Sequence, residues 1–337
     1  MYKKQQIIIF KLLIFSSLIQ IVTFSCAPKV DQGYDKDKGY VGTISISGAF
    51  ALYPIAVLWS EDFKKLHPHV RFNISAGGAG KGISDVLSNM VDIGLVSRDL
   101  HPIEIEKGAL PVIVANDAVI GTLNSKHPNI AALLTRGLSQ DELKGIFVTG
   151  KIKKWSDLDP SFVNKNIEVY IRSDAAGAAE TWAKYLGATQ EELKGIGIFG
   201  DPGLAQAIKD NPLAIGFNNI NYVFDLETKR TTANIAALPL DINSNHRIDA
   251  QENFYMELDS LTNAVATGKY PSPPSRELMF VLNKEHQSKL LEEFVRFVMT
   301  DKQQAYLLDN GFVPINKELN KKENEKLLAS ELQTDKR

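Results

Sequence analysis

From Val41 to Asp99 the chain alternates between two hydrophobic periods, and that rhythm limits the possible folds more than any other feature of its 337 residues. Val41-Gly-Thr-Ile-Ser-Ile-Ser47 carries apolar side chains at every second position, the period of a strand. Gly48-Ala-Phe-Ala-Leu-Tyr-Pro54 then leads into Ile55, Leu58, Trp59, Phe63 and Leu66 at helical spacing. Val70-Arg-Phe-Asn-Ile-Ser75 returns to the strand period, Ala76 to Gly82 is a small-residue loop, and Val86, Leu87 and Met90 mark a second helix. A β-α-β-α order of this kind predicts an α/β fold, a parallel sheet with helices on its faces. Asp92-Ile-Gly-Leu-Val-Ser-Arg-Asp99 is then a short buried strand ending in polar groups, where open α/β sheets place ligand residues. Pro111 to Asn124 is a long apolar strand able to cross from one lobe to another.

A second stretch carries the chemistry. In Ile171-Arg-Ser-Asp-Ala-Ala-Gly-Ala-Ala-Glu-Thr-Trp182, a strand ends at Arg172 and a helix follows. Arginine offers a permanent forked donor set, and the small residues let the helix present backbone N–H groups to an anion. Asp174 can orient the guanidinium or accept a proton from a protonated oxyanion. An Arg–Asp pair at an ordinary strand–helix junction fits the same residues. The glycines from Gly77 to Gly82 do not form a nucleotide P-loop, because Gly82 stands where the hydroxyl residue after the lysine is required.

The formal net charge is −2 and no basic run with interleaved aromatics occurs, so nucleic-acid binding is set aside. Residues 1–25 read as a secretory signal, with Lys3 and Lys4 before an apolar run from Ile7 to Ser25. The single cysteine, Cys26, stands at the end of that run, as in a lipoprotein signal whose cysteine is acylated; the alternative is a plain cleaved signal. No disulfide and no cysteine-based metal site or nucleophile is possible. Residues 26–41 read as a flexible polar tether, and residues 326–337 as a solvated tail.

Beyond these features the chain resembles the phosphate-binding proteins of bacterial phosphate ABC importers, within the class of two-lobed periplasmic binding proteins. The resemblance rests on Ser47-Gly48 with Pro54 and Trp59, Gly77 to Gly82, Asp92-Ile-Gly with Ser97-Arg98, Asp117-Ala-Val-Ile120, Leu138 to Phe147 with Trp155, Arg172-Ser-Asp174, Ala214-Ile-Gly-Phe217 and Tyr270-Pro-Ser-Pro-Pro274. It implies two α/β lobes joined by two crossover strands, the class II arrangement, closing on a ligand by a hinge motion. On that basis lobe one is residues 42–115 with 225–325, and lobe two is 116–224. The implied ligand residues are Ala49, Phe50, Ala51, Ala79, Gly80, Ser97, Arg98, Arg172, Asp174, Ala176, Gly177 and Ala178. The implied protein is a monomeric binding protein, not an enzyme, held at the periplasm or cell surface by lipid on Cys26. It presents phosphate or a related oxyanion to a membrane permease.

Three loops depart from the family pattern. Ala49-Phe50-Ala51, Gly78-Ala79-Gly80 and Ala176-Gly177-Ala178 lack the hydroxyls that the family places there. Hydrogen bonds to a charged group contribute about 1.5–3 kcal/mol each, so these losses predict weaker phosphate binding. They feed a second reading, a family member without tight phosphate binding that serves as a surface interaction or sensing lipoprotein.

No cofactor for activity is expected, but Asp241, Asn243, Asn245, Arg247 through its carbonyl, Asp249 and Glu252 have the spacing of a calcium loop. His246 occupies the sixth position, where glycine is usual. A polar surface loop is the alternative. The six histidines are scattered without metal-binding spacing, and no Gly-x-Ser-x-Gly elbow is present.

Overall fold

The computed structural model describes residues 33–286 and 288–334. The signal at 1–25, Cys26 and the first part of the tether lie outside the described residues. The strands form a ten-stranded mixed sheet that runs through two separate hydrophobic cores.

In the first lobe, Gly39–Gly48 pairs in parallel with Val70–Ala76 on one side and Ile93–Val96 on the other. The helix Tyr53–Leu66 opens with Pro54, which suits its first turn, and ends with Lys64 and Lys65, charges that suit the C-terminal end of its dipole. It buries Ile55, Trp59 and Phe63 in this core. The helix Ala79–Leu87 crosses the sheet closely because glycines meet there. A Cβ on Gly82 would lie 2.7 Å from the Leu95 carbonyl oxygen, and one on Gly48 only 2.3 Å from it. In the second lobe, Ala214–Asn219 pairs antiparallel with the long strand and parallel with Glu168–Arg172, which pairs with Ile196–Ile198.

The strand Ala109–Asn124 joins the lobes. Its residues up to Ala115 belong to the first core and those from Ala118 onward to the second. The return passage runs from Tyr270, in the second core, to Leu278, in the first. The two passages lie side by side, Ser275 opposite Ala118, with a register shift at Leu278/Met279. Between them Arg276 donates to Asp117 from Nε (2.8 Å) and Nη2 (3.1 Å), an ion pair buried at the crossover. Two crossover strands are therefore present, as the resemblance implied.

Three expected boundaries are corrected. Residues 225–325 do not all return to lobe one: Ile235, Leu238, Leu240, Tyr255, Leu258, Leu261 and Tyr270 pack in the second core. The cause is pairing of Ile235–Leu238 along the far half of the long strand, which keeps the chain in lobe two. The tether from 26 to 41 is structured where it is described, since Gly33–Asp35 forms a hairpin with the start of Gly39–Gly48, with Tyr34 and Tyr40 edge to face. The tail is also not simply solvated. Helix Lys317–Thr334 buries Leu327 in the first core, and Glu323 accepts the Ile113 N–H (3.2 Å).

Leu327→Ala is therefore expected to destabilise the protein by about 2–5 kcal/mol, read by urea denaturation. A change within about 0.5 kcal/mol would mean that the terminal helix is not docked.

Candidate functional site

The strand Glu168–Arg172 delivers Arg172 to the face where the lobes meet, and the turn after it places Asp174 beside the same guanidinium. Arg172 donates from Nε to Asp174 Oδ1 (2.8 Å) and from Nη2 to Asp174 Oδ2 (2.5 Å). From Nη1 it donates to Asp201 Oδ2. Asp201 is the second residue of helix Gly200–Asp210, is fully buried, and also accepts the Asn219 N–H at Oδ1 (3.1 Å). The Gly200 N–H donates to Asp174 Oδ1 (3.1 Å), so both carboxylates sit at the positive end of one helix.

The Phe50 ring of lobe one covers the guanidinium, 5.2 Å from its carbon to the ring centre, a cation–π contact. Phe50 also meets Phe199 edge to face, and its carbonyl accepts the Tyr222 hydroxyl (3.0 Å). Burial disfavours the charge on Arg172, yet Asp201 and Asp174 more than offset this and raise its pKa. Burial pushes the Asp201 carboxyl above the usual carboxylate range, with Arg172 and the Asn219 N–H opposing. Burial also raises the Tyr222 hydroxyl, with a further contribution from Asp201, so it stays a donor.

Close approach of the lobes depends on residues without side chains. Gly78, at φ 90°, caps the helix Ala79–Leu87, and a Cβ there would stand 2.7 Å from the Ala175 carbonyl oxygen. The Gly80 N–H donates to that same oxygen (3.2 Å). A Cβ on Gly177 would come within 2.3 Å of Ser97 Oγ. Phe50, Gly80, Ser97, Arg172, Asp174 and Gly177 are thus brought together, with Ala79, Ala176 and Ala178 beside them in the chain and buried. Ala49 and Ala51 are buried in the first core, and the Ala49 N–H donates to Leu95 O (2.8 Å).

Arg98 is not part of this group, which corrects its expected role as a ligand donor. Its two Nη atoms donate to Glu104 (2.9 and 2.7 Å), and Nε lies 3.2 Å from Glu180 Oε2. Glu104 is fixed by the His101 N–H at the start of a short helix, so the guanidinium is drawn into a bridge between the lobes. Asp201 and Gln190 were missed by sequence reasoning. Gln190 donates to Asp174 O (2.7 Å) and accepts the Ala176 N–H (3.2 Å). A signal existed for Asp201: it opens the helix after the strand Ile196–Ile198, the same junction that singled out Arg172 and Asp174.

The loop 241–252 is ordered by its own hydrogen bonds. Asp241 accepts the N–H groups of Asn245 (3.1 Å) and His246 (2.8 Å), and Glu252 those of Ile242 (2.9 Å) and Asp249 (3.0 Å). The side-chain amides of Asn243 and Asn245 both reach Asp249 Oδ2 (3.0 and 2.9 Å). The Arg247 side chain turns to Asp249 (2.8 Å), and His246 adopts the left-handed conformation, φ 60°. Among the described residues no three or more His, Cys, Asp or Glu side chains form a group able to hold a metal on their own.

With this geometry in hand, the comparisons place the chain. A family model described as the PBP superfamily domain matches residues 35–302. The chain belongs to that family. The phosphate-binding protein PstS of Bacillus subtilis is 27% identical over 318 residues, covering 93% of this chain and 95% of the relative. The phosphate-binding protein PstS of Methanocaldococcus jannaschii is 25% identical, covering 78% and 80%. Among solved structures, a phosphate ABC transporter substrate-binding protein from Clostridium perfringens aligns with TM-score 0.68 and 23% identity, over 82% of this chain and all of that one. At that identity the likeness concerns the two-lobed fold. The relatives named here are binding proteins rather than enzymes. Among the described residues no helix is long and apolar enough to cross a membrane.

The buried Arg172 carries a stability prediction of its own. Arg172→Ala leaves Asp174 and Asp201 buried without a counter-charge and is expected to cost about 3–5 kcal/mol, measured by denaturant unfolding. A loss below about 1 kcal/mol would show that water or another cation reaches these carboxylates.

Proposed function

We propose that this protein is the extracytoplasmic substrate-binding component of an ABC importer and takes phosphate or a related oxyanion between its lobes. The observation that carries the reading is the position of Arg172 and Asp174 at the interlobe face, opposite the glycine-capped helix Ala79–Leu87 and beneath Phe50. The names of the relatives support phosphate as the anion and a membrane permease as the partner. On this reading a lipid on Cys26 holds the monomer at the membrane outside the cytoplasm.

The test is calorimetric titration of the folded protein with phosphate and then sulfate. Phosphate is expected to bind, and Arg172→Lys, which keeps the charge but not the fork, to weaken binding at least about tenfold. No heat with either anion from folded protein would remove this reading.

A second reading, a family member that has lost tight phosphate binding and acts as a surface interaction or sensing lipoprotein, has its own support. Donors suited to an anion already have protein acceptors: Ala49 N–H, Gly80 N–H, Ala176 N–H and all three guanidinium nitrogens of Arg172. An incoming anion must displace some of them.

We further infer calcium as a structural clip at 241–252, supported by the oxygen-bearing side chains at the expected positions and the left-handed His246. There Asp241, Asn243, Asn245, Asp249, Glu252 and the Arg247 carbonyl would hold the ion. Calcium at about 100 times its Kd is expected to add about 2.7 kcal/mol, seen as a rise in Tm that a chelator reverses and Asp241→Ala abolishes. An unchanged Tm with millimolar calcium would leave the loop as a polar surface turn.

A further inference from the structure

We propose that Phe50 is an internal competitor of the interlobe ligand: its ring fills the place over Arg172 that an oxyanion must enter, and so sets the affinity of the site. The inference rests on the binding reading given above and adds to it the residue that determines affinity. Phe50 stands in the turn between strand Gly39–Gly48 and helix Tyr53–Leu66. Its neighbours Ala49, Ala51 and Leu52 are each 2% exposed or less and pack in the first core. Phe50 itself packs in neither core. A large apolar ring is ordinarily buried among the apolar side chains of its own lobe, yet this one is turned outward to the opposite lobe.

The ring's partners there are the groups that an anion between the lobes would approach. The guanidinium carbon of Arg172 lies 5.2 Å from the ring centre, and Phe199 meets the ring edge-on, at 5.9 Å and 83°. The ring also closes against the start of helix Gly200–Asp210, where a Cβ on Gly200, whose φ is 73°, would stand 2.9 Å from Phe50 Cζ. The Phe50 carbonyl is held as well, by the Tyr53 N–H of its own lobe (3.3 Å) and the Tyr222 hydroxyl of the other (3.0 Å). A phenyl ring offers an anion no hydrogen-bond donor, and its π face attracts the guanidinium that the anion needs. Ligand and ring therefore exclude one another. A ligand that binds only the molecules with the ring withdrawn has its affinity reduced by their fraction, so a preference of about ten to one for the seated ring weakens binding about tenfold.

The experiment titrates phosphate into the wild-type chain and into Phe50→Ala by calorimetry, with circular dichroism establishing that each is folded. Phe50→Ala is expected to bind phosphate at least about tenfold more tightly than the wild type. If the alanine variant does not fold, Phe50→Leu, which keeps apolar bulk but has no π face, carries the same comparison. Wild-type silence with binding by the variant would support the proposal. Binding by the variant no tighter than by a wild type that does bind would overturn it, while leaving the phosphate reading intact. Silence from both folded proteins would overturn it together with the phosphate reading.

Discussion

The charge of Arg172 is the constraint on which the centre of this molecule depends. A guanidinium cannot shed its proton in a protein, so once buried it must find acceptors, and here two carboxylates and an aromatic face surround it. Those partners come from three places in the chain: the turn after its own strand, the start of helix Gly200–Asp210, and the first loop of the opposite lobe. Each is held by further bonds. Asp174 is bound by the Gly200 N–H, Asp201 by the Asn219 N–H, and Phe50 by the Tyr222 hydroxyl. One buried cation thus ties two strands, a helix and the lobe interface into a single arrangement.

The same economy governs how the lobes meet. Gly80 and Ala175 share a backbone hydrogen bond across the interface, Gly177 and Ser97 are in contact, and Arg98 with Glu180 and Lys184 with Asp99 pair at the rim. Exposed pairs such as Lys184–Asp99 contribute at most about 1 kcal/mol each, whereas a buried N–H left without an acceptor costs about 1–3 kcal/mol. The backbone contacts therefore set the separation, and the ion pairs tune it. A ligand entering this space replaces acceptors that the protein already supplies, so its affinity is a difference between two well-satisfied states. The three loops without hydroxyls leave backbone groups to make that difference.

The fold was legible wherever periodicity and small residues carried it. The early strand–helix alternation and the crossing strand lie where the sequence placed them, because burial of one face dictates a period, and Arg172 ends its strand with Asp174 in the turn after it. The lobe boundary was misplaced because Ile235–Leu238 is a short apolar run whose partner, the far half of Ala109–Asn124, is over a hundred residues earlier. Nothing local distinguishes the two lobes as its destination. The terminal segment was read as solvated because it is rich in Lys and Glu, yet Glu323 and Leu327, with Leu319 and Asn320, dock its helix. Arg98 illustrates the reverse error. It stands in a family motif, but Glu104, six residues on, captures its guanidinium in a bidentate pair that motif reading does not register.

Asp201 and Arg98 together show why residue type alone underdetermines an ionic site. Both are charged residues just beyond the ends of strands, but only Arg98 was a ligand candidate on grounds of type. What separates them is which counter-charge lies within reach of an unstrained side chain. Arg98 finds Glu104 within its own lobe and is neutralised before it can face the cleft, so its field there is small. Asp201 instead shares Arg172 with Asp174, and the Asn219 N–H and the charge of Arg276 offset part of the surplus negative charge. The arginine at the interlobe face is therefore held by a residue at the start of a helix as well as by its neighbour two positions away.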